Sequence, residues 1–80
     1  MPDDKMKPYR RMTAMERLNL TPEQFAQRIR DYRFGNRMSL LEVGDVLDGV
    51  GASTIWRWEH GKSLPRSKIV IGKLMREHII

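Results

Sequence analysis

Ser53, Trp56, Arg57 and His60 fall at i, i+3, i+4 and i+7, the spacing that lines up four side chains on one face of an α-helix. Ile55 and Trp58, three apart, take the opposite face and point inward. A hydroxyl, an indole, a guanidinium and an imidazole donate hydrogen bonds, accept them and stack, which is the chemistry of recognition. Read from spacing alone, Arg57 is either a solvated helix arginine or a donor to a ligand. Trp56 stands two positions from Trp58 and cannot share its inward face. Bond-making chemistry has less to work with. His60 and His78 are the only histidines, and neither lies in a Cys, Asp or Glu cluster at ligand spacing, so no metal and no cofactor is expected. No nucleophile–base pair, phosphate-binding glycine loop or paired carboxylate site is visible, and the chain is not expected to be an enzyme.

A chain of 80 residues buries one modest core. Its 15 Lys and Arg against 10 Asp and Glu leave a net charge of +5, and the pI near 10.1 tilts the partner toward phosphate. The absence of cysteine excludes a disulfide framework and thiolate zinc sites, and suits a reducing cytoplasm. No apolar run approaches the roughly 20 residues that span a bilayer, and Asp3 and Asp4 stand where a signal peptide would be basic. A cytoplasmic protein with no membrane partner is expected. Charge is unevenly placed. Lys5, Lys7, Arg10, Arg11 and Arg17, with Pro2 and Pro8, make residues 1–20 a basic amino-terminal arm. Residues 39–51 hold only Glu42, Asp45 and Asp48, a face whose ordinary reading is solvation. Residues 52–76 hold six cations, among them Lys62, Arg66 and Lys68, against the single carboxylate Glu59.

Helix punctuation places four or five elements, the first within residues 1–20 and the others in a domain over residues 21–80. A short one is marked by the Thr13 to Glu16 capping-box spacing and runs to about Asn19. Thr21, Pro22 and Gln24 open the next, whose apolar stripe is Phe25, Ile29 and Tyr32; Gly35 and Asn36 are expected to take the left-handed conformation that ends it. Ser39-Leu40-Leu41-Glu42 is a second capping box, followed by the stripe Leu40, Val43 and Leu47. Gly44 lies inside that helix, where it should cost about 1 kcal/mol relative to alanine. Gly49 and Gly51 bracket Val50 in a tight turn, then a helix over 53–60 is stopped by Gly61. A last helix starts near Ser67 and carries Val70, Ile71, Leu74, Met75 and Ile79 toward the carboxyl end.

The run Ile29-Arg30-x-Tyr32-Arg33, then Met38-Ser39, then Ser53-Thr54-Ile55-x-Arg57-Trp58-Glu59-x-Gly61-Lys62 and Pro65 resembles the Xre/Cro/phage-repressor helix-turn-helix family. The resemblance covers roughly Leu20 to Leu74. It implies an all-α, lambda-repressor-like domain of four to five helices, a basic arm before it, and a cytoplasmic regulator of a phage or mobile element, expected to be a repressor of transcription. It further implies that the outward face of helix 53–60 enters the major groove of double-stranded DNA, with Arg57 on guanine O6 and N7, Ser53 on a base or phosphate, Ala52 at most on a thymine methyl, and Trp56 beside them. Trp56 has other partners open to it: a sugar–phosphate backbone, a partner subunit or a bent-back arm. His60, Lys62, Arg66, Lys68, Ser39, Arg10 and Arg11 are then the candidate backbone contacts. Ile55 and Trp58 are the motif's core, and Glu59 is implied to pair with Arg33. The chain departs from the family pattern in a turn, 47–51, one residue longer than usual, and in Gly44, where a small alanine is usual. Family members form two-fold dimers on palindromic operators, and Leu74, Met75, Ile79 and Ile80 are the expected dimer contact. Two other readings stay open: an antitoxin that autoregulates and also binds a toxin, and a protein-interaction module with residual DNA binding.

Overall fold

The computed structural model describes residues 18–80. The basic positions Lys5, Lys7, Arg10, Arg11 and Arg17 and the Thr13–Glu16 capping box lie outside the described residues; Leu18 and Asn19 form a turn. Four helices follow: α1 Pro22–Gly35, α2 Leu40–Val46, α3 Ala52–Glu59 and α4 Lys68–Arg76, with no strand among the described residues. The starts of α1 and α2 are local chemistry. Thr21 Oγ1 accepts from the Gln24 amide at 3.1 Å while Gln24 Oε1 accepts from the Thr21 amide at 2.9 Å. Ser39 and Glu42 repeat the exchange at 3.1 and 2.7 Å, so each box satisfies two amides that a helix start leaves open.

All four helices end in the same way. The amides of Met38, Gly49, Lys62 and Ile79 donate to the carbonyls of Arg33, Gly44, Arg57 and Leu74, each at 2.9 Å, and the preceding residues Arg37, Asp48, Gly61 and His78 are left-handed, with φ of 55, 62, 67 and 60°. This is the Schellman closure. It corrects three sequence expectations. Gly35 and Asn36 do not take the left-handed turn; Arg37 does. Gly51 is extended at φ −68° and serves as the N-cap of α3, while Asp48 and Gly49 make the turn after α2. The last helix stops at Arg76, and His78 folds Ile79 back onto Leu74.

The core gathers Phe25 and Ile29 of α1, Val43 of α2, Ile55 and Trp58 of α3, Ile71 and Leu74 of α4, and the flanking Leu47 and Ile79. Tyr32, Leu40 and Val70 pack against it half-buried. α3 packs on both α1 and α2. The second contact depends on Gly44: a Cβ there would sit 1.8 Å from the carbonyl oxygen of Val50. The cost assigned to Gly44 from helix propensity therefore has the wrong sign in this fold, because alanine has no room.

α4 closes over the end of α2. Lys73 Nζ lies 2.5 Å from Asp48 Oδ2, and an Arg76 guanidinium nitrogen donates to the Val46 carbonyl at 3.4 Å, placing two cations at a helix carboxyl terminus. Lys73 holds the Asp48 carboxyl below its ordinary value of 3.8, chiefly by their hydrogen bond. A depressed folded value means a contribution present above the unfolded value and lost as pH falls through the folded one. Asp48→Asn keeps a residue at ease in the left-handed region but removes the charge. It should melt below wild type at pH 7, with the gap closing as pH drops below 3.8; a gap that persists in strong acid would remove the ion pair from the account.

Candidate nucleic-acid interface

The inward side of α3 is anchored at three places. Ile55 and Trp58 are buried, and Trp58 meets Phe25 edge-to-face with ring centroids 5.5 Å apart, a favoured aromatic geometry. Glu59 is clasped by Arg33: Nε to Oε2 at 2.6 Å and a terminal guanidinium nitrogen to Oε1 at 3.0 Å. Arg33 accordingly holds its proton more tightly than an ordinary arginine, the Glu59 hydrogen bond being the main cause. Arg30 donates to the main-chain carbonyl of the same Glu59 and to Gln27 at 2.9 Å. Two arginines of α1 thus hold the last turn of α3; Arg30 stands in the run that carries the family resemblance, but its bond to the Glu59 carbonyl was not among the sequence expectations. A shallow groove of about 260 Å³ runs here, lined by Glu23, Ala26, Arg30, Glu59, His60 and Gly61.

The rest of α3 faces outward. Ser53, Trp56, Arg57 and His60 are exposed and Ala52 is half-buried, so the spacing read from the sequence is realised as a surface. Gly51 supplies no side-chain cap, unlike Thr21 and Ser39; its carbonyl takes the Thr54 amide at 3.0 Å, and the Ala52 and Ser53 amides at the start of α3 are left for an outside acceptor. Trp56 does not lie free on this face. Its ring stacks on His60 at 3.9 Å between centroids and 20° between planes, and His60 Nδ1 is 2.8 Å from the Trp56 carbonyl oxygen. The i, i+4 spacing of the two residues was the available signal. A carbonyl only accepts, so Nδ1 carries the hydrogen and Nε2 is the atom turned away from the helix. In neutral His60 that atom is an acceptor.

Lys62, Arg66 and Lys68 are exposed, and neither they nor Arg57 form an ion pair among the described residues. The one carboxylate of residues 52–76, Glu59, is buried in its bond to Arg33, so nothing negative opposes this surface from within that stretch. Lys73 and Arg76, which the charge pattern grouped with these cations, are directed to Asp48 and the end of α2 instead. Ser39 is also less available than expected. Its amide and hydroxyl oxygen are both engaged by Glu42, whose carboxylate would repel a phosphate.

The expected dimer contact is corrected in two of its four residues. Leu74 and Ile79 are buried in the core, because the left-handed His78 turns the chain end inward; Ile80 is half-buried against the same cluster. Met75 stays exposed at 50%, and Ile69, not singled out from the sequence, is more so at 71%. Among the described residues, no group of three His, Cys, Asp or Glu side chains could hold a metal ion, and no helix is long and apolar enough to cross a membrane. No family model, curated protein or solved structure matches the chain in comparison, so its function rests on the geometry of α3 and the residues around it.

Proposed function

We propose that this protein is a sequence-specific double-stranded DNA-binding regulator of transcription, acting as a repressor, which lays α3 in the major groove as one half of a dimer on a two-fold operator. The observation that carries the reading is the outward face of α3: Ser53, Trp56, Arg57 and His60 exposed side by side, flanked by exposed Lys62, Arg66 and Lys68, with Glu59, the one carboxylate of residues 52–76, buried against Arg33. α2, the 47–51 connection and α3 fit a helix-turn-helix whose second helix is the reader. Arg57 is assigned to guanine, the cations to phosphate, and Ile69 and Met75 of α4, in place of Leu74 and Ile79, to the second protomer.

Selection of binding sites from random duplex DNA, run beside Arg57→Ala, tests this. Wild type should recover a two-fold consensus, and the variant should lose a guanine preference with an affinity loss of roughly 5- to 150-fold, the worth of one bidentate base contact. Binding with no consensus that merely fades as salt rises would mean that the charge finds phosphate while α3 reads nothing. A protein-docking role, toxin neutralisation included, would then lead; it draws on the exposed Phe34 and Leu41, apolar side chains on the helices that do not read DNA.

A further inference from the structure

We propose that the Trp56–His60 stack reads the C5 methyl group of thymine. The inference rests on the DNA-binding reading above and adds a base preference to it. Trp56 is 42% exposed and shares the outward face of α3 with Ser53 and Arg57, so an α3 that brings Arg57 to a base edge brings the indole with it. One face of that indole is covered by the imidazole at 3.9 Å. The imidazole is in turn tied by Nδ1 to the carbonyl of Trp56 itself, so the pair is closed on itself and the indole is held in one place before any partner arrives. What remains for a partner is the opposite ring face and its edge.

That surface is apolar apart from one N–H, and it contains no acceptor. Base edges in the major groove present donors, acceptors and a single apolar group, the thymine methyl. Arg57, next in the chain, takes acceptors. The methyl is the feature that the indole face can desolvate without leaving a polar group unpaired, and holding the ring in advance removes the ordering cost that a freely rotating side chain would meet. His60 is the positioning residue in this arrangement and Trp56 the contact.

The operator recovered by selection supplies the probe. Each thymine is replaced in turn by uracil, which deletes only the methyl, and affinities are measured by fluorescence anisotropy for wild type and Trp56→Ala. Trp56 lies outside the core, and a melting curve of the variant verifies that it folds. Wild type should lose about fourfold at one thymine per half-site, the transfer value of one buried methyl-sized group, and Trp56→Ala should bind the thymine and uracil probes equally. A flat uracil series in wild type, a consensus without thymine, or a methyl effect that survives in Trp56→Ala would overturn the proposal while leaving sequence-specific binding intact. Failure to recover any consensus would overturn the DNA reading, and this one with it.

Discussion

Gly44→Ala should lower the melting temperature by about 12–24 °C, the equivalent of roughly 3 kcal/mol in a domain of this size. The reason is a backbone-to-backbone approach. The added Cβ would meet the Val50 carbonyl oxygen at 1.8 Å, and a main-chain oxygen cannot rotate away as a side-chain tip can. Relief requires the 47–51 connection to move, yet that connection hangs on the Gly44 carbonyl, which accepts from the amides of Leu47, Gly49 and Val50 at 3.2, 2.9 and 3.1 Å. Pushing Val50 out therefore strains the turn and tilts α3 against α2, and the cost falls at the upper end of what overpacking a core brings. Helix propensity argues the opposite, a gain of about 1 kcal/mol from the same substitution. Gly72 separates the two effects, since it lies within α4 with nothing inside 4 Å of its Cβ position; Gly72→Ala should raise the melting temperature by a few degrees. Thermal unfolding by circular dichroism decides it, and a Gly44→Ala protein that melts at or above wild type would mean that α3 does not depend on this approach.

Gly44 also marks the boundary of what the sequence discloses. Local exchanges were legible: the Thr21–Gln24 and Ser39–Glu42 boxes lie within four residues of chain, and their hydrogen bonds form as the spacing requires. The apolar stripes were legible for the same reason, and Phe25, Ile29, Val43, Leu47, Ile55 and Trp58 all enter the core. Helix ends were legible only at Gly61, which stops α3 with φ of 67°. Glycine and asparagine are the residues that favour φ above zero, so Gly35 and Asn36 drew the expectation after α1, whereas the other closures fall on Arg37, Asp48 and His78. Their conformation is imposed by the packing that follows each helix, which no local preference reports. Ile79 was assigned outward for want of that one turn. Charge misleads in a similar way: Lys73 and Arg76 count toward a basic second half until the fold places Asp48 and the end of α2 against them. The candidate reading face was visible as a period, but the stack that fixes Trp56 and sets the hydrogen on His60 is a matter of rotamers.

The Arg33–Glu59 pair, separated by 26 positions and suggested only by family resemblance, should respond asymmetrically to loss of either partner. Glu59 is 3% exposed and Arg33 is 18% exposed. Arg33→Met leaves a carboxylate that cannot reach water, and should cost about 3–5 kcal/mol, the range for orphaning a buried charge. Glu59→Gln leaves a guanidinium with a path to solvent and a second acceptor, the Met38 carbonyl at 3.5 Å, so its cost should stay near 1–3 kcal/mol. Converting the pair to Met and Leu together should recover most of the loss, because two apolar groups of similar volume need no compensation. Urea denaturation of the three variants measures each value; a Glu59→Gln protein less stable than Arg33→Met would show that the carboxylate, not the guanidinium, is the partner with access to water. The double variant then bears on α3 itself. Arg30 still grips the Glu59 carbonyl in that protein, so a stable fold that has lost its DNA preference would assign to the Arg33–Glu59 bond the aim of the reading face, and a stable fold that keeps it would leave that aim to Arg30 and the Phe25–Trp58 contact.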